Sequence, residues 1–213
     1  MELAVKEKTA LIIGRGEQVK IRAKQLVNEQ AKVVILSNSP TIGAIRSTGL
    51  PRNVSIRPEG LDNWEQVLRD VCPFLVIVST MSVELDEKIA QAARIVSKLV
   101  YVVDRPHLND LNMTGVARLG DIRVAVSTKG LSPALAGVLR RKIESLIVPE
   151  EILQVKLQGE IRSALKKTIS DPARRKKAVY KLIRDKRISS LLQSSKYEDA
   201  KLRALYLIAK SLG

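Results

Sequence analysis

Gly14 and Gly16 come directly after the apolar run Leu11-Ile12-Ile13, and a helix-forming stretch, Glu17 to Glu29, follows them before Lys32-Val33-Val34-Ile35-Leu36-Ser37. Strand, glycine turn, helix and second strand in that order are the layout of a dinucleotide site. Gly14 permits a tight turn, Gly16 lets a backbone N–H approach a pyrophosphate, and the helix start at Glu17 and Gln18 supplies partial positive charge. The competing reading is a turn that uses glycine for its backbone freedom alone. Position at the first such turn of the chain favours the nucleotide. Arg15, between the glycines, contacts phosphate or lies in solvent. The third fingerprint position is Val19, and Ser37, Asn38 and Ser39 stand where an acidic residue would meet ribose hydroxyls. No basic residue for a 2′-phosphate stands there either, so the turn does not separate NAD from NADP.

Other groups with chemistry are few. Ser79-Thr80 ends one apolar run and Asp104 ends another, just ahead of Pro106. A carboxylate in that place takes a proton from a ligand or caps the turn. Ser127-Thr128-Lys129-Gly130 is a polar loop leading to Ser132-Pro133, an N-cap and first-turn pair, and such a loop at a helix start suits a carboxylate ligand. His107 and Cys72 are each the sole residue of their type, which excludes intrachain disulfides and cysteine-rich zinc sites. No metal site is predicted, His107 reads as a surface or packing residue, and Cys72 reads as a small buried apolar one.

The elements that must position these groups alternate from Thr9 to Asp104. Short apolar runs predict strands over 9–13, 32–37, 53–57, 75–79 and 99–103, and helical spacing predicts helices over 17–29, 62–71 and 83–97. The stripe Trp64, Val67, Leu68, Val71 makes Trp64 a core residue rather than a ligand contact. This is the pattern of a Rossmann-like α/β fold, a parallel sheet covered by helices. Ligands of such sheets collect at the carboxyl ends of the strands, which brings Gly14–Gln18, Ser37–Ser39, Ser79–Thr80 and Asp104 to one edge. Beyond Pro106 a strand at 123–127 and a helix from Ser132 are predicted, and from about Glu151 only helices, over 151–169, 173–184 and 195–211, with a break at Asp171-Pro172.

The 213 residues are 45% hydrophobic, enough for a folded protein. The start, Met1-Glu2-Leu3-Ala4-Val5-Lys6-Glu7-Lys8, lacks the apolar region of a signal peptide, and no run reaches the roughly 18 apolar residues of a membrane span, so a cytoplasmic protein with no membrane partner is expected. The formal charge of +15 favours an anionic partner, and sixteen Lys and Arg against six Asp and Glu lie from Glu151 onward. Nucleic acid is disfavoured, because an aromatic content of 3% leaves few stacking platforms. The run Arg174-Arg175-Lys176-Lys177 is a solvated helix face or an anion contact.

Three separated segments resemble the precorrin-2 dehydrogenase family, the N-terminal module of siroheme synthases. Ile12-Ile13-Gly14-Arg15-Gly16-Glu17-Gln18-Val19 is similar to the family's V-G-G-G-x-V-A turn, and Val102-Val103-Asp104-Arg105-Pro106 to its N-V-V-D-x-P segment. The most specific match is Arg118 to Ala136, with Ser127-Thr128-Lys129-Gly130-Leu131-Ser132-Pro133-Ala134-Leu135-Ala136 against S-T-G-G-x-S-P-A-L-A. The likeness covers roughly residues 8 to 150 and continues more loosely through the helical tail. Arg15 replaces the central glycine, Val19 an alanine, Lys129 a glycine and Met113-Thr114 a Phe-Pro pair.

The resemblance implies an NAD-binding domain (1–113), a dimerisation segment (114–150) that makes a homodimer, and a C-terminal helical domain (151–213) that closes over a tetrapyrrole. The implied reaction is NAD-dependent oxidation of precorrin-2 to sirohydrochlorin, with Asp104 as the catalytic residue. Gly14, Arg15, Gly16, Glu17, Gln18, Ser37, Asn38, Ser39, Ser79 and Thr80 are the candidates for the cofactor, and Ser127, Thr128, Lys129 and Ser132 those for substrate carboxylates or dimer contacts. The basic surplus suits a substrate ringed by acetate and propionate groups. Alternatives are a second, ferrochelatase activity on sirohydrochlorin, a non-catalytic tetrapyrrole-binding partner protein, and a nucleic-acid-binding protein that uses the basic tail.

Overall fold

The computed structural model describes residues 3–46, 51–57 and 59–212. The chain divides into two compact units, Met1–Met113 and Thr114–Gly213.

The first unit is a five-stranded parallel sheet. Strands β1 (Thr9–Gly14), β2 (Lys32–Leu36), β3 (Val54–Arg57), β4 (Leu75–Ser79) and β5 (Leu99–Val102) lie in the order β3-β2-β1-β4-β5. Strands buried on both faces read as unbroken apolar runs, because successive side chains must satisfy two cores. Ala10 and Ile12 face one of them with Val19, Ala23 and Leu26 of α1 (Glu17–Asn28). Leu11 and Ile13 face the other, with Trp64, Val67 and Leu68 of α3 (Trp64–Val71) and Ile89, Ala90 and Ala93 of α4 (Val83–Val96). Trp64 is thus a core residue. The strand order reverses between β1 and β4, whose ends pair Gly14 with Ser79, and that reversal opens a crevice at the carboxyl edge of the sheet.

Two local readings need correction. Helix α2 (Ser39–Arg46) was not expected, because Ser37-Asn38-Ser39-Pro40 reads as loop. Pro40 in its first turn is in fact compatible with a helix start, where the missing N–H has no partner to lose. Cys72 is exposed instead of buried. It terminates α3 in the left-handed conformation, with φ 42°, which takes its side chain off the apolar stripe; the following Pro73 bars a further helical turn.

The second unit opens with the antiparallel hairpin β6 (Gly115–Leu119) and β7 (Ile122–Val126), of which the sequence pattern revealed only the second strand. Helix α5 (Pro133–Leu146) packs on this hairpin. Its N-cap is Ser132, whose Oγ accepts the Leu135 N–H at 3.3 Å. Helices α6 (Pro149–Thr168), α7 (Pro172–Ile183), α8 (Lys186–Gln193) and α9 (Tyr197–Leu212) follow. Leu157, Ile161 and Leu165, one stripe of α6, bury with Leu182, Ile188, Leu192, Ala200, Ala204 and Leu207 into a separate core. Asp171 and Asp185 cap α7 and α8, accepting the N–H groups of Ala173 and of Arg187 and Ile188.

Candidate functional site

The glycine turn is held by its neighbours rather than by its own sequence. A Cβ on Gly14 would lie 2.1 Å from the Ser79 carbonyl oxygen, and the Arg15 N–H donates to that same oxygen at 2.8 Å. Only glycine lets β1 end this close to β4. Ser37 is buried beneath the turn, where its hydroxyl donates to the Gly14 carbonyl at 2.5 Å. It therefore braces the turn and does not face a ribose. Gly16 has φ 82° and ψ −162°, a region in practice restricted to glycine, and a Cβ there would meet no atom within 4 Å.

One expectation changes here. The Gly16 N–H donates to Thr41 Oγ1 at 2.9 Å, so that group is already bonded within the protein. Thr41 comes from the helix the sequence did not announce. Among the described residues no side chain caps α1, however, and its first-turn N–H groups remain for an anion.

A cleft of about 340 Å³ lies at this edge of the sheet, within the usual range of roughly 300–1,000 Å³ for small-molecule sites. Arg15, Gly16, Glu17 and Gln18 line one side; Ser79, Met81 and Asp86 come from the β4–α4 turn; Val103, Asp104 and Arg105 follow β5. Asp104 has φ 61° and is exposed, and its carboxylate makes no hydrogen bond or ion pair with a described residue. It does not cap the turn before Pro106. Gln18 Oε1, Asn38 Oδ1 and Arg105 Nε are buried and have no partner among the described residues. Gln18 and Arg105 line the cleft itself, and buried atoms without partners are where ligand atoms are missing.

Sequence reasoning missed Asp86. Its Oδ1 accepts from the Thr80 N–H at 3.0 Å and from Thr80 Oγ1 at 2.7 Å, and Thr80 Oγ1 in turn accepts the Ser82 N–H at 3.2 Å. This buried bracket fixes the β4–α4 turn and leaves Met81 on the cleft rim with φ 68°. Thr80 is thus a support and not part of the cleft lining. The available signal was an acid in the first turn after the N-cap Ser82. Of the remaining candidates, Asn38 does not line the cleft, and the side chain of Ser39 lies outside the described residues. His107 is exposed.

Ser127, Thr128, Lys129 and Ser132 belong to the second unit and form a self-braced loop. Ser127 Oγ accepts the Lys129 N–H at 3.2 Å, and Thr128 Oγ1 accepts the Ser132 N–H at 3.1 Å. Lys129 is exposed in the left-handed conformation, with φ 54°. The loop presents hydroxyls and one ammonium, the donor set a carboxylate would use.

Parallel-sheet topology, a cleft at the strand-order reversal and an uncapped helix start behind a glycine turn together define a dinucleotide-binding α/β unit. A family model described as "Putative NAD(P)-binding" matches residues 1–114, more than half of the chain, and the chain belongs to that family. A precorrin-2 dehydrogenase of Methanosarcina barkeri is 34% identical over 139 residues, which is 65% of this chain and 61% of that protein. A siroheme synthase of Escherichia coli is 28% identical over 194 residues, 90% of this chain and 41% of that protein. The chain thus spans less than two thirds of the length of these curated relatives. The solved structure of SirC, precorrin-2 dehydrogenase, superposes with a TM-score of 0.69 at 16% identity, covering 99% of this chain and 97% of that one, which establishes the shared fold. Among the described residues no helix is long and apolar enough to cross a membrane.

Proposed function

We propose that this chain oxidises precorrin-2 to sirohydrochlorin with NAD, within the synthesis of siroheme or a related modified tetrapyrrole. The observation that carries the reading is that one cleft holds both the glycine turn and the unpartnered carboxylate of Asp104. The residues present fit a nicotinamide dinucleotide: the open space over Gly16, the uncapped start of α1 and the orphaned Gln18 oxygen supply the cradle. Arg15, on the cleft lining, serves as the cation for a phosphate. The cofactor, when bound, supplies the hydride acceptor.

The chain's own residues do the rest. Asp104 takes the proton that leaves when the ring is dehydrogenated, and its lack of partners among the described residues leaves both oxygens to do so. The Asp86–Thr80 bracket fixes the wall of the cleft. Ser127, Thr128, Lys129 and Ser132 serve as the second unit's ligands for carboxylates of the tetrapyrrole, and residues 151–213 form its helical domain. Residues 114–150 form the homodimer contact. Helix α5 supports this, since it buries none of its own residues and leaves Leu135, Val138, Leu139, Ile143 and Leu146 exposed along one face, an apolar stripe that a second copy would cover.

Anaerobic incubation of the purified chain with precorrin-2 and NAD, without metal, tests the reading. Conversion to sirohydrochlorin that requires NAD and is lost in Asp104→Ala supports it. Tetrapyrrole binding without oxidation would replace the enzyme by a carrier.

A further inference from the structure

We propose that Arg105 is a substrate-binding residue, which clamps a peripheral carboxylate of the tetrapyrrole beside Asp104; this rests on the reading just given. Asp104 and Arg105 are sequence neighbours, and in an extended strand they would point to opposite faces. The left-handed conformation of Asp104 breaks that alternation, and both residues line the same cleft. The backbone of Arg105 is fixed: its N–H donates to the Val102 carbonyl at 3.3 Å, and its carbonyl accepts the Leu108 N–H at 3.0 Å, within the single helical turn Pro106–Leu108.

The side chain is the informative part. Arg105 is partly buried, its Nε is out of contact with solvent, and no described residue accepts from it or pairs with its charge. A guanidinium carries five N–H donors in a rigid fork that matches a carboxylate. Leaving Nε dry and unbonded is unfavourable unless an acceptor arrives. The electrostatics point the same way. A polycarboxylate brought against the negative Asp104 is repelled, and a cation on the next residue offsets that repulsion at the point where the proton must leave. Arg15 and Arg105 both line the cleft, Arg15 within the glycine turn and Arg105 directly after Asp104, so we assign the first to the cofactor's phosphate and the second to the substrate's carboxylate.

The test uses the full chain and uroporphyrin III, a fully oxidised tetrapyrrole that bears the same acetate and propionate groups and cannot be turned over. Its binding is followed by fluorescence for wild type, Arg105→Gln and Arg105→Lys, and NAD is titrated separately. We expect Arg105→Gln to weaken porphyrin binding about 10- to 100-fold, Arg105→Lys to recover part of it through charge without the fork, and NAD affinity to stay within about twofold. Porphyrin affinity unchanged in Arg105→Gln overturns the assignment while leaving the proposed reaction intact. Loss of NAD affinity instead of porphyrin affinity also overturns it, and makes Arg105 a phosphate ligand. Absence of porphyrin binding to the wild type overturns both the assignment and the reading beneath it.

Discussion

Replacing Gly14 by alanine puts a methyl group where the protein has its own backbone. The added carbon would lie 2.1 Å from the oxygen, 2.5 Å from the carbonyl carbon and 3.0 Å from the Cα of Ser79. None of these atoms is the free end of a side chain, so relief requires β1 and β4 to part by roughly 1 Å at their ends, straining both strands. That movement also stretches the 2.8 Å bond from the Arg15 N–H to the same oxygen. Overpacking of this kind and one weakened hydrogen bond together amount to about 2–4 kcal/mol. For a unit of this size the melting temperature should fall by about 10 °C or more. Gly16→Ala makes a control with a different signature: its methyl meets no atom within 4 Å, and the penalty is backbone strain at φ 82° together with occupation of ligand space. It should lower stability by about 1–3 kcal/mol and weaken NAD binding more than it weakens the fold. Thermal melts by circular dichroism, with NAD titration of each folded variant, read the two effects apart. Gly14→Ala melting within about 2 °C of the wild type would refute the close approach of β1 and β4.

Asp104→Asn should lower kcat about 10²- to 10⁴-fold while melting and NAD affinity stay unchanged, because the carboxylate is exposed, has no described partner, and asparagine tolerates the same φ of 61°; a parallel loss of stability would show a structural role instead. Leu139→Glu with Ile143→Glu should convert a dimer to a monomer in sedimentation without altering the helical signal, since both side chains are exposed on α5; an unchanged mass would move the interface elsewhere. At high pH the second unit should lose stability. Burial and the hydrogen bond to Glu160 raise the Tyr197 phenol from its ordinary 10.0 to about 12. A raised folded value keeps its full contribution below pH 10 and loses it as pH rises toward about 12, because the unfolded chain releases the proton first. Tyr197→Phe should flatten that limb of the stability–pH curve. At the acid end, burial pushes the Asp185 carboxyl up, but the Ile188 N–H, Arg203 and the Arg187 N–H outweigh it and hold it below the ordinary 3.8. Its contribution is therefore present above that value and is lost as pH falls through the depressed one, so Asp185→Asn should reduce acid sensitivity in urea melts.

The sheet was legible because a strand buried on both faces has no choice of composition, and Leu11-Ile12-Ile13 or Leu75-Val76-Ile77-Val78 admit no other place. The glycine turn and Asp104 were legible for the same kind of reason, as residue types tied to the end of a strand. What escaped depended on long-range partners. Thr41 occupies the Gly16 N–H from 25 positions away, and Ser37 serves the turn instead of the ligand because β2 lies against β1. Cys72 sits in an apolar context by sequence, yet its conformation is set by helix termination. Asp86 reads as one more acid at a helix start until Thr80 is seen beneath it. Local pattern identifies the elements, whereas the hydrogen bonds that decide which polar atoms remain for a ligand form only when the strands are assembled.

If one cleft joins a dinucleotide to a proton acceptor, hydride and proton leave the substrate in one event. A single-turnover experiment tests it most directly, with enzyme in excess over precorrin-2, saturating NAD, and reduced cofactor and sirohydrochlorin followed together. Both should appear at one rate and in equal amounts in the wild type, and Asp104→Ala should bind NAD as tightly but form neither. Sirohydrochlorin formed without matching reduced cofactor, or formed at the wild-type rate by the variant, would contradict it.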